Sequence, residues 1–447
     1  MSGKVHLVSL GCAKNLVDSE RLLASAMANL GFKPTVEAEE ADLILVNTCA
    51  FLQSAVSEAL EALMELGARK KQGALMAALG CLPARYEGEE AADLAKGLPE
   101  VDLWVRPADY PHFEEKLRVA LSLAAKKDAP AFDVDCLPSG GRVQGTPFFR
   151  AFLKIAEGCG NRCAYCMIPV LRGPLVSYPQ EALEREAAAL AAGGVRELTL
   201  VAQDLTSYGR DRGGKGELAA LARKLAAIEG LDWLRLLYAY PERLNERLVK
   251  ELAEIPKVLP YLDLPFQHAS ADILKRMGRP PVSPLKLVEN LRRWWPGVAL
   301  RTTLIVGFPG ETEENFKELM NFVNQAAFDH LGVFKFSPEE GTRAAVMEGQ
   351  VPQSIKEKRR KAVMSTQRKI SLLRNKDRVG QLVPVLVEGP VGDNPLVAAG
   401  RAPFQAPEVD GLVYFDGEQP EAGEIVMTRL IKTSAYDLVG RMEGGAV

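Results

Sequence analysis

The sequence predicts an α/β protein in three parts: an N-terminal parallel α/β sheet domain, a central incomplete (β/α)6 barrel and a small C-terminal antiparallel β-barrel. Three observations carry this reading. Short apolar runs alternate with amphipathic stretches through residues 1–125, which calls for a parallel, doubly wound sheet. A strand-then-helix unit recurs between residues 147 and 350, falling short of the eight units of a complete barrel. Residues 379–447 change to short β-rich runs separated by Gly and Pro.

In residues 1–125 the strands are expected at Val5–Leu10, Leu43–Asn47 and Leu75–Leu79, with amphipathic stretches such as Ser19–Leu30 and Ser54–Leu66 between them. Residues 126–146 read as a linker, loosest from Ala129 to Thr146, where Pro130, Pro138 and Ser139-Gly-Gly fall. The central strands are expected at Phe152–Glu157, Glu197–Ala202, Leu234–Tyr240, Tyr261–Phe266, Leu300–Val306 and His330–Phe336. Good helix formers fill the intervals at Gln180–Ala192, Glu217–Ile228, Arg243–Ala253 and Glu311–Gln325. In such a barrel the chemistry sits in loops after the strands' C-terminal ends. An open doubly wound sheet, the alternative, would place those loops similarly. Residues 351–378 form a basic amphipathic helix, roughly Ser354 to Asp377. The tail strands are expected at Leu382–Glu388, Leu396–Arg401, Gly411–Phe415, Glu424–Lys432 and Ser434–Met442.

With 447 residues, 47% hydrophobic and 25% charged, the chain has ordinary globular composition and room for several domains. It has no run of 18 apolar residues, and Met1-Ser-Gly-Lys-Val-His-Leu-Val reads as a first strand rather than a secretory leader. No membrane span and a cytoplasmic location are expected. The net charge of −3 gives the whole chain no nucleic-acid signature, but the charge is uneven. Lys356 to Arg378 holds ten Lys or Arg against Glu357 and Asp377. From Gly380 to Val447, Arg401, Arg429, Lys432 and Arg441 stand against ten acids. Such a tail would repel phosphate and attract a basic partner.

The seven cysteines, at 12, 49, 81, 136, 159, 163 and 166, are an odd number and argue for metal or catalytic use over a disulfide framework. The sharpest signal is Gly158-Cys159-Gly-Asn-Arg-Cys163-Ala-Tyr-Cys166, directly after the first central strand. A tight loop can bring three thiolates to one face of a four-iron cube and leave the fourth iron open. Structural zinc favours four ligands in separated pairs, and no fourth Cys or His stands near. Cys12, Cys49 and Cys81 form a second set, each just after an N-terminal strand, in Leu10-Gly-Cys12, Asn47-Thr-Cys49 and Leu79-Gly-Cys81. In a parallel sheet these strand ends share the edge where ligands bind. Cys136, in the linker, has no partner.

The C-x3-C-x2-C loop closely resembles that of the radical S-adenosylmethionine superfamily. The resemblance implies that Cys159, Cys163 and Cys166 hold a [4Fe-4S] cluster whose open iron binds S-adenosylmethionine and whose electron yields a 5′-deoxyadenosyl radical, as unactivated C–H bonds require. Gly11-Cys12-Ala-Lys-Asn-Leu-Val-Asp-Ser-Glu20, Val46-Asn-Thr-Cys49-Ala-Phe51 and Gly80-Cys81-Leu82 resemble the N-terminal motifs of the methylthiotransferases. The Cys12 motif is similar to that of the ribosomal-protein branch rather than the tRNA branch. This resemblance covers nearly the whole chain. It implies a methylthiotransferase N-terminal domain (1–125), a radical-SAM core (147–350) and a TRAM domain (379–447). It further implies a second [4Fe-4S] cluster on Cys12, Cys49 and Cys81, and two S-adenosylmethionine molecules, one methylating a held sulfur and one cleaved to the radical. The implied substrate is the β-carbon of an aspartate in ribosomal protein S-twelve. The implied electron donor is a flavodoxin or ferredoxin.

Gln203-Asp204, Tyr240-Pro241, Gln267-His268 and Gly307-Phe-Pro-Gly-Glu311 are weaker candidates at the barrel rim, where they also serve as ordinary turn residues. The Gly-Gly-Glu motif of many relatives is absent after the second strand, and Leu304-Ile-Val-Gly307 matches the fifth-strand pattern only in part. No S-adenosylmethionine contact beyond the cluster is therefore assigned. A tRNA-modifying enzyme is disfavoured by the tail charge. A two-cluster electron carrier would give each cluster four cysteines, and a zinc-stabilised nucleic-acid module lacks its fourth ligands.

Overall fold

The computed structural model describes residues 3–125, 141–214, 216–280, 282–392, 394–417 and 419–446. Most of the expected linker, and Cys136 with it, lies outside them. The chain divides into two compact units. The first comprises residues 1–145, 157–160 and 166–176, and the second 146–156, 161–165 and 177–447.

The first unit is built on a parallel sheet of β1 (Lys4–Ser9), β2 (Lys33–Pro34), β3 (Leu43–Thr48), β4 (Leu75–Gly80) and β5 (Leu103–Val105). Their order is β2-β1-β3-β4-β5. All of β3 and β4 is buried, as expected when helices cover both faces. Alternate residues go to opposite faces. Ile44, Val46, Met76 and Ala78 pack with Val56, Ala59 and Leu63 of the Gln53–Arg69 helix. Leu43, Leu45, Leu75 and Ala77 pack with Leu22 and Ala26 of the first helix and with Phe113 and Leu117. That first helix begins at Ala13, not near Ser19, because Lys14, Asn15 and Asp18 are buried helical residues.

The second unit carries six parallel central strands in two sheets of three. These are β6 (Arg150–Lys154), then after the two-residue strands β7 (Ala156–Glu157) and β8 (Val176–Ser177), β9 (Glu197–Val201) and β10 (Trp233–Leu236), followed by β11 (Tyr261–Gln267), β12 (Ala299–Val306) and β13 (His330–Lys335). The ladder order is β10-β9-β6 and β11-β12-β13. The tenth strand stops at Leu236 instead of running to Tyr240 because Tyr238 takes a φ of 67° and its N–H donates to Asp263. Helices start later than expected where caps set them: Asn245 Oδ1 accepts from the Leu248 N–H, and Thr312 and Asn315 form a reciprocal capping box.

The tail strands β14 (Leu382–Val391), β15 (Asn394–Arg401), β16 (Val413–Phe415), β17 (Ile425–Thr433) and β18 (Leu438–Ala446) close in the order β14-β15-β16-β18-β17. The β16–β18 pair is parallel, a departure from the antiparallel barrel expected. Val385, Val387, Val413, Phe415, Val426 and Leu430 fill its interior. The basic helix spans Gln353–Lys376 and buries a polar stripe, Lys356, Arg359, Gln367, Ser371 and Asn375, beside Val363. Lys356 Nζ donates to the Phe336 carbonyl at 2.8 Å and Arg374 Nη2 to the Ala327 carbonyl at 2.8 Å. Part of its charge is thus committed to the fold.

The tail docks at the N-terminal ends of the central strands. Arg235 Nη1 donates to the Pro403 carbonyl at 2.8 Å, Tyr261 Oη to Asp410 at 2.7 Å, and His330 Nε2 bonds the Phe404 carbonyl at 2.7 Å. Asp204, Tyr240, Gln267 and Gly307 occupy the opposite, C-terminal ends.

Candidate functional site

Cys12, Cys49 and Cys81 follow β1, β3 and β4 at one edge of the sheet. Cys12 caps the Ala13–Leu30 helix, and Cys81 opens the short Cys81–Arg85 helix rather than lying in a turn. Gly11 (φ 90°) lies against the next loop: a Cβ there would stand 2.7 Å from the Cβ of Cys49. Gly80 (φ 93°) would meet the Thr48 carbonyl at 2.7 Å. Only glycine allows this approach and this dihedral together.

A set of amides and hydroxyls ties the three loops. Asn15 Nδ2 donates to the carbonyls of Leu10 (2.9 Å) and Thr48 (3.0 Å), bracing the loops of Cys12 and Cys49. Asn47 Nδ2 donates back to the Asn15 carbonyl (2.8 Å) and to Ser19 Oγ (2.9 Å). Thr48 Oγ1 donates to the Leu79 carbonyl at 2.6 Å and accepts from the Leu82 N–H at 3.2 Å, gripping the chain on both sides of Cys81. Arg172 enters from beyond the other cysteine loop, its Nε donating to Cys81 Sγ at 3.4 Å. Glu20 accepts from the Gly145 N–H at 2.6 Å and pairs with Arg142. The polar residues around Cys12, quoted above only as a motif, are thus the scaffold of the site.

The thiols differ. Cys81 is buried, Cys49 half-buried and Cys12 exposed. Burial pushes the Cys49 thiol up to about 11, and negative charge on Cys81 and Cys12 adds to it, while the Phe51 amide opposes. Burial raises Cys81 too, against the Arg172 guanidinium. Around Cys12 desolvation also pushes up, yet Lys14, Arg172 and the amides of Asn15 and Lys14 overcome it and the thiol is lowered. Cys12 raises the proton affinity of both Cys49 and Cys81, and a cationic occupant would relieve that repulsion. Among the described residues no three His, Cys, Asp or Glu side chains surround a single metal-ion position. A cube of iron and sulfide sets its ligands wider apart than one ion does.

Cys159 and Cys166 belong to the first unit and Cys163 to the second. The Cys159 N–H donates to the Gly173 carbonyl at 3.2 Å, and Cys166 Sγ accepts from the Ile168 N–H at 3.4 Å. Cys163 Sγ stands 3.9 Å from Tyr240 Oη, whose ring lies under Arg279 at 4.1 Å and Arg243 at 4.8 Å. Burial first, then negative charge on Cys163, raises the Tyr240 phenol. Asn161, between the cysteines, donates to buried Asp204 at 2.9 Å and accepts from Arg243 Nη2 at 2.7 Å, while Arg243 Nη1 pairs with Asp204. Asp204 and Tyr240, weaker candidates by sequence, therefore support the loop of Cys163. Glu311 is a rim brace, accepting from the Phe308 N–H at 3.0 Å and from Arg359 at 3.0 Å. His268 is buried, and its Nδ1 accepts from the Ser270 N–H at 3.0 Å. Burial, reinforced by Arg359, lowers it to about 3, so it is neutral at physiological pH.

The tail's acidity is partly spent on this frame. Arg150 engages Glu388 (3.4 Å) and Glu408 (3.1 Å), and Arg301 stands 3.5 Å from Asp410. Arg429 pairs with Glu443 and Arg441 with Asp416. Arg150 and Arg301 lie outside the tail in sequence, so they add no charge to residues 380–447 although they neutralise its acids.

Three family models match the chain: the uncharacterized protein family UPF0004 over residues 4–106, the radical SAM superfamily over 153–323 and the TRAM domain over 379–442. A ribosomal protein uS12 methylthiotransferase RimO of Geobacter sulfurreducens is 46% identical over 447 residues, 98% of each chain. Another RimO, from Trichlorobacter lovleyi, is 46% identical over 454 residues, again 98% of each. Among solved structures, the radical S-adenosylmethionine methyltransferase TsrM from Kitasatospora setae, with cobalamin and a [4Fe-4S] cluster bound, superposes with a TM-score of 0.55 at 15% identity, covering 75% of each chain. That likeness is one of fold. No helix among the described residues is long and apolar enough to cross a membrane.

Proposed function

The chain belongs to the ribosomal protein uS12 methylthiotransferases (RimO) of the radical S-adenosylmethionine superfamily, and from that premise we propose that it attaches a methylthio group to the β-carbon of an aspartate in uS12. The observation that carries the reading is the placement of Cys12, Cys49 and Cys81 at the ends of β1, β3 and β4, held by one hydrogen-bonded set, in a chain that also has the Cys159–Cys163–Cys166 loop.

Each set of three cysteines would hold a [4Fe-4S] cluster. When bound, the cluster on Cys12, Cys49 and Cys81 would hold a sulfur that S-adenosylmethionine can methylate, and the cluster on Cys159, Cys163 and Cys166 would supply the electron that splits a second S-adenosylmethionine. The chain's own residues do the rest. Buried Cys81 anchors the N-terminal site, and Cys12 stands nearest its surface. Asn161, Asp204 and Arg243 hold the chain beside Cys163 in one conformation, and Tyr240 shields its sulfur on one side. The reductant is a flavodoxin or ferredoxin, and the enzyme works in the cytoplasm on a basic ribosomal protein that the acidic tail attracts.

Intact-mass analysis of uS12 from cells with and without this gene tests the reading. uS12 should be heavier by one methylthio group replacing one hydrogen only when the gene is present. Unmodified uS12 in both strains, with a methylthioadenosine in tRNA that depends on the gene, would overturn it.

A further inference from the structure

Arg172 stands five residues before Ser177 and six after Cys166, and no expectation from the sequence assigned it a role. Its side chain is only 2% exposed. A buried guanidinium needs its charge balanced and its N–H groups satisfied. Nη1 donates to Asp18 Oδ2 at 2.6 Å and to Glu157 Oε2 at 3.1 Å, and Nη2 donates to Asn15 Oδ1. Oxygen partners thus fix both terminal nitrogens, and the remaining arm, Nε–H, points at Cys81 Sγ, 3.4 Å away. A planar fork can make all these contacts at once, whereas an ammonium cannot.

The neighbouring residue reaches the other cysteine set: the Gly173 carbonyl accepts from the Cys159 N–H at 3.2 Å. Two consecutive residues of one segment therefore touch a sulfur of the first set and the backbone of the second. The donor's effect on an iron–sulfur cluster is definite in sign. Hydrogen bonds to ligand sulfur and nearby positive charge favour the reduced, more negative cluster and raise its reduction potential.

We propose that Arg172 is a positioning residue of the N-terminal cluster, donating from Nε to the Cys81 thiolate and holding the cluster's reduction potential above the value it would otherwise have. Asp18 and Glu157 orient the guanidinium and balance its charge, so what reaches the sulfur is a directed N–H rather than a mobile cation. This inference rests on the assignment of a cluster to Cys12, Cys49 and Cys81.

The test uses the full chain with Cys159→Ala, Cys163→Ala and Cys166→Ala, reconstituted anaerobically so that only the N-terminal cluster remains. A potentiometric titration followed by electron paramagnetic resonance compares this parent with Arg172→Lys and Arg172→Met added. Iron per chain should stay at the parent's level, and the potential should fall in Arg172→Lys, which keeps the charge but loses the fork, and fall further in Arg172→Met. An unchanged potential in Arg172→Met with iron retained would overturn the proposal. If Arg172→Met does not fold, Arg172→Lys decides alone, and a potential equal to the parent's is the refuting result. A folded parent that binds no iron would overturn the cluster assignment itself, which separates that failure from failure of the role given to Arg172.

Discussion

Two of the buried polar networks among the described residues are built differently. Below the N-terminal cysteines, Asn15, Ser19, Asn47 and Thr48 are neutral and bond to loop and helix backbone and to one another. At the N-terminal ends of the central strands, Glu197 sits between Arg235 (2.7 Å) and Arg401 (2.5 Å), with all three side chains buried. Glu388 joins at 2.6 Å from Arg401 Nε. The charged network closes on itself and fastens the tail barrel to the strands. The neutral set holds the loops, and Arg172, joined to it at Asn15 and balanced by Asp18 and Glu157, brings one N–H to the Cys81 sulfur. Breaking the first should cost stability, and breaking the second should cost metal.

The largest expected effect is on the charged network. Glu197→Ala leaves Arg235 and Arg401 buried without their carboxylate, a loss of about 3–5 kcal/mol. Urea unfolding should show it, while iron per folded chain stays at the wild-type level. Loss of iron from folded protein would merge the two networks into one. Asn15→Ala should behave in reverse. It orphans the Leu10 and Thr48 carbonyls at about 1–3 kcal/mol, and outer partners of this kind are worth about 10–100-fold in metal affinity. Iron measured during competition with a chelator should fall accordingly, with S-adenosylmethionine cleavage retained.

Acid should act mainly on the second unit. Arg401 and Arg235 overcome burial and hold Glu197 at about 2, below its usual 4.5, and His268 is held at about 3, below its usual 6.5. In both cases the unfolded chain binds its proton at higher pH than the folded one, so both groups contribute stability that is complete above about pH 6.5. His268 loses its share as pH falls from about 6.5 towards 3, and Glu197 as pH falls from about 4.5 towards 2. The urea midpoint should decline through that window, and less steeply at its acid end in Glu197→Gln. A midpoint that rises on acidification would contradict both assignments. The smallest effect is expected at the exposed Arg429–Glu443 pair, where solvent screens the charges. Arg429→Ala should leave the melting temperature and the iron content unchanged within error.

The two networks were not equally legible. The apolar runs of β3 and β4 marked themselves as buried strands, and glycine before Cys12 and Cys81 marked tight turns at their ends. The Cys159–Cys166 loop is local in sequence and needed no fold to be recognised. By contrast, the amphipathic pattern marked the first helix only from Ser19, because Lys14, Asn15 and Asp18 are polar and only tertiary partners make them its buried first turns. Arg172 was invisible because its partners Asn15, Asp18 and Cys81 lie far away in the chain. Glu197, at the start of β9, likewise gave no sign of its distant partner Arg401. The tail's acids looked like free surface charge until Arg150 and Arg301, outside the tail, took up Glu388, Glu408 and Asp410. Hydrophobic period reports local burial, whereas a buried polar group is explained only by the group it meets.

The proposed function requires that two separate sets of three cysteines each hold a four-iron cluster. Iron and acid-labile sulfide, measured after anaerobic reconstitution of wild type and of two triple variants, test it most directly. Wild type should bind about eight irons, and each variant about four, one cube per set. The variant with Cys12, Cys49 and Cys81 changed to Ala should still release 5′-deoxyadenosine but transfer no methylthio group. The variant with Cys159, Cys163 and Cys166 changed should release none. A folded N-terminal variant that keeps the full wild-type iron, or a barrel variant that still cleaves S-adenosylmethionine, would be incompatible with one cluster on each set of cysteines.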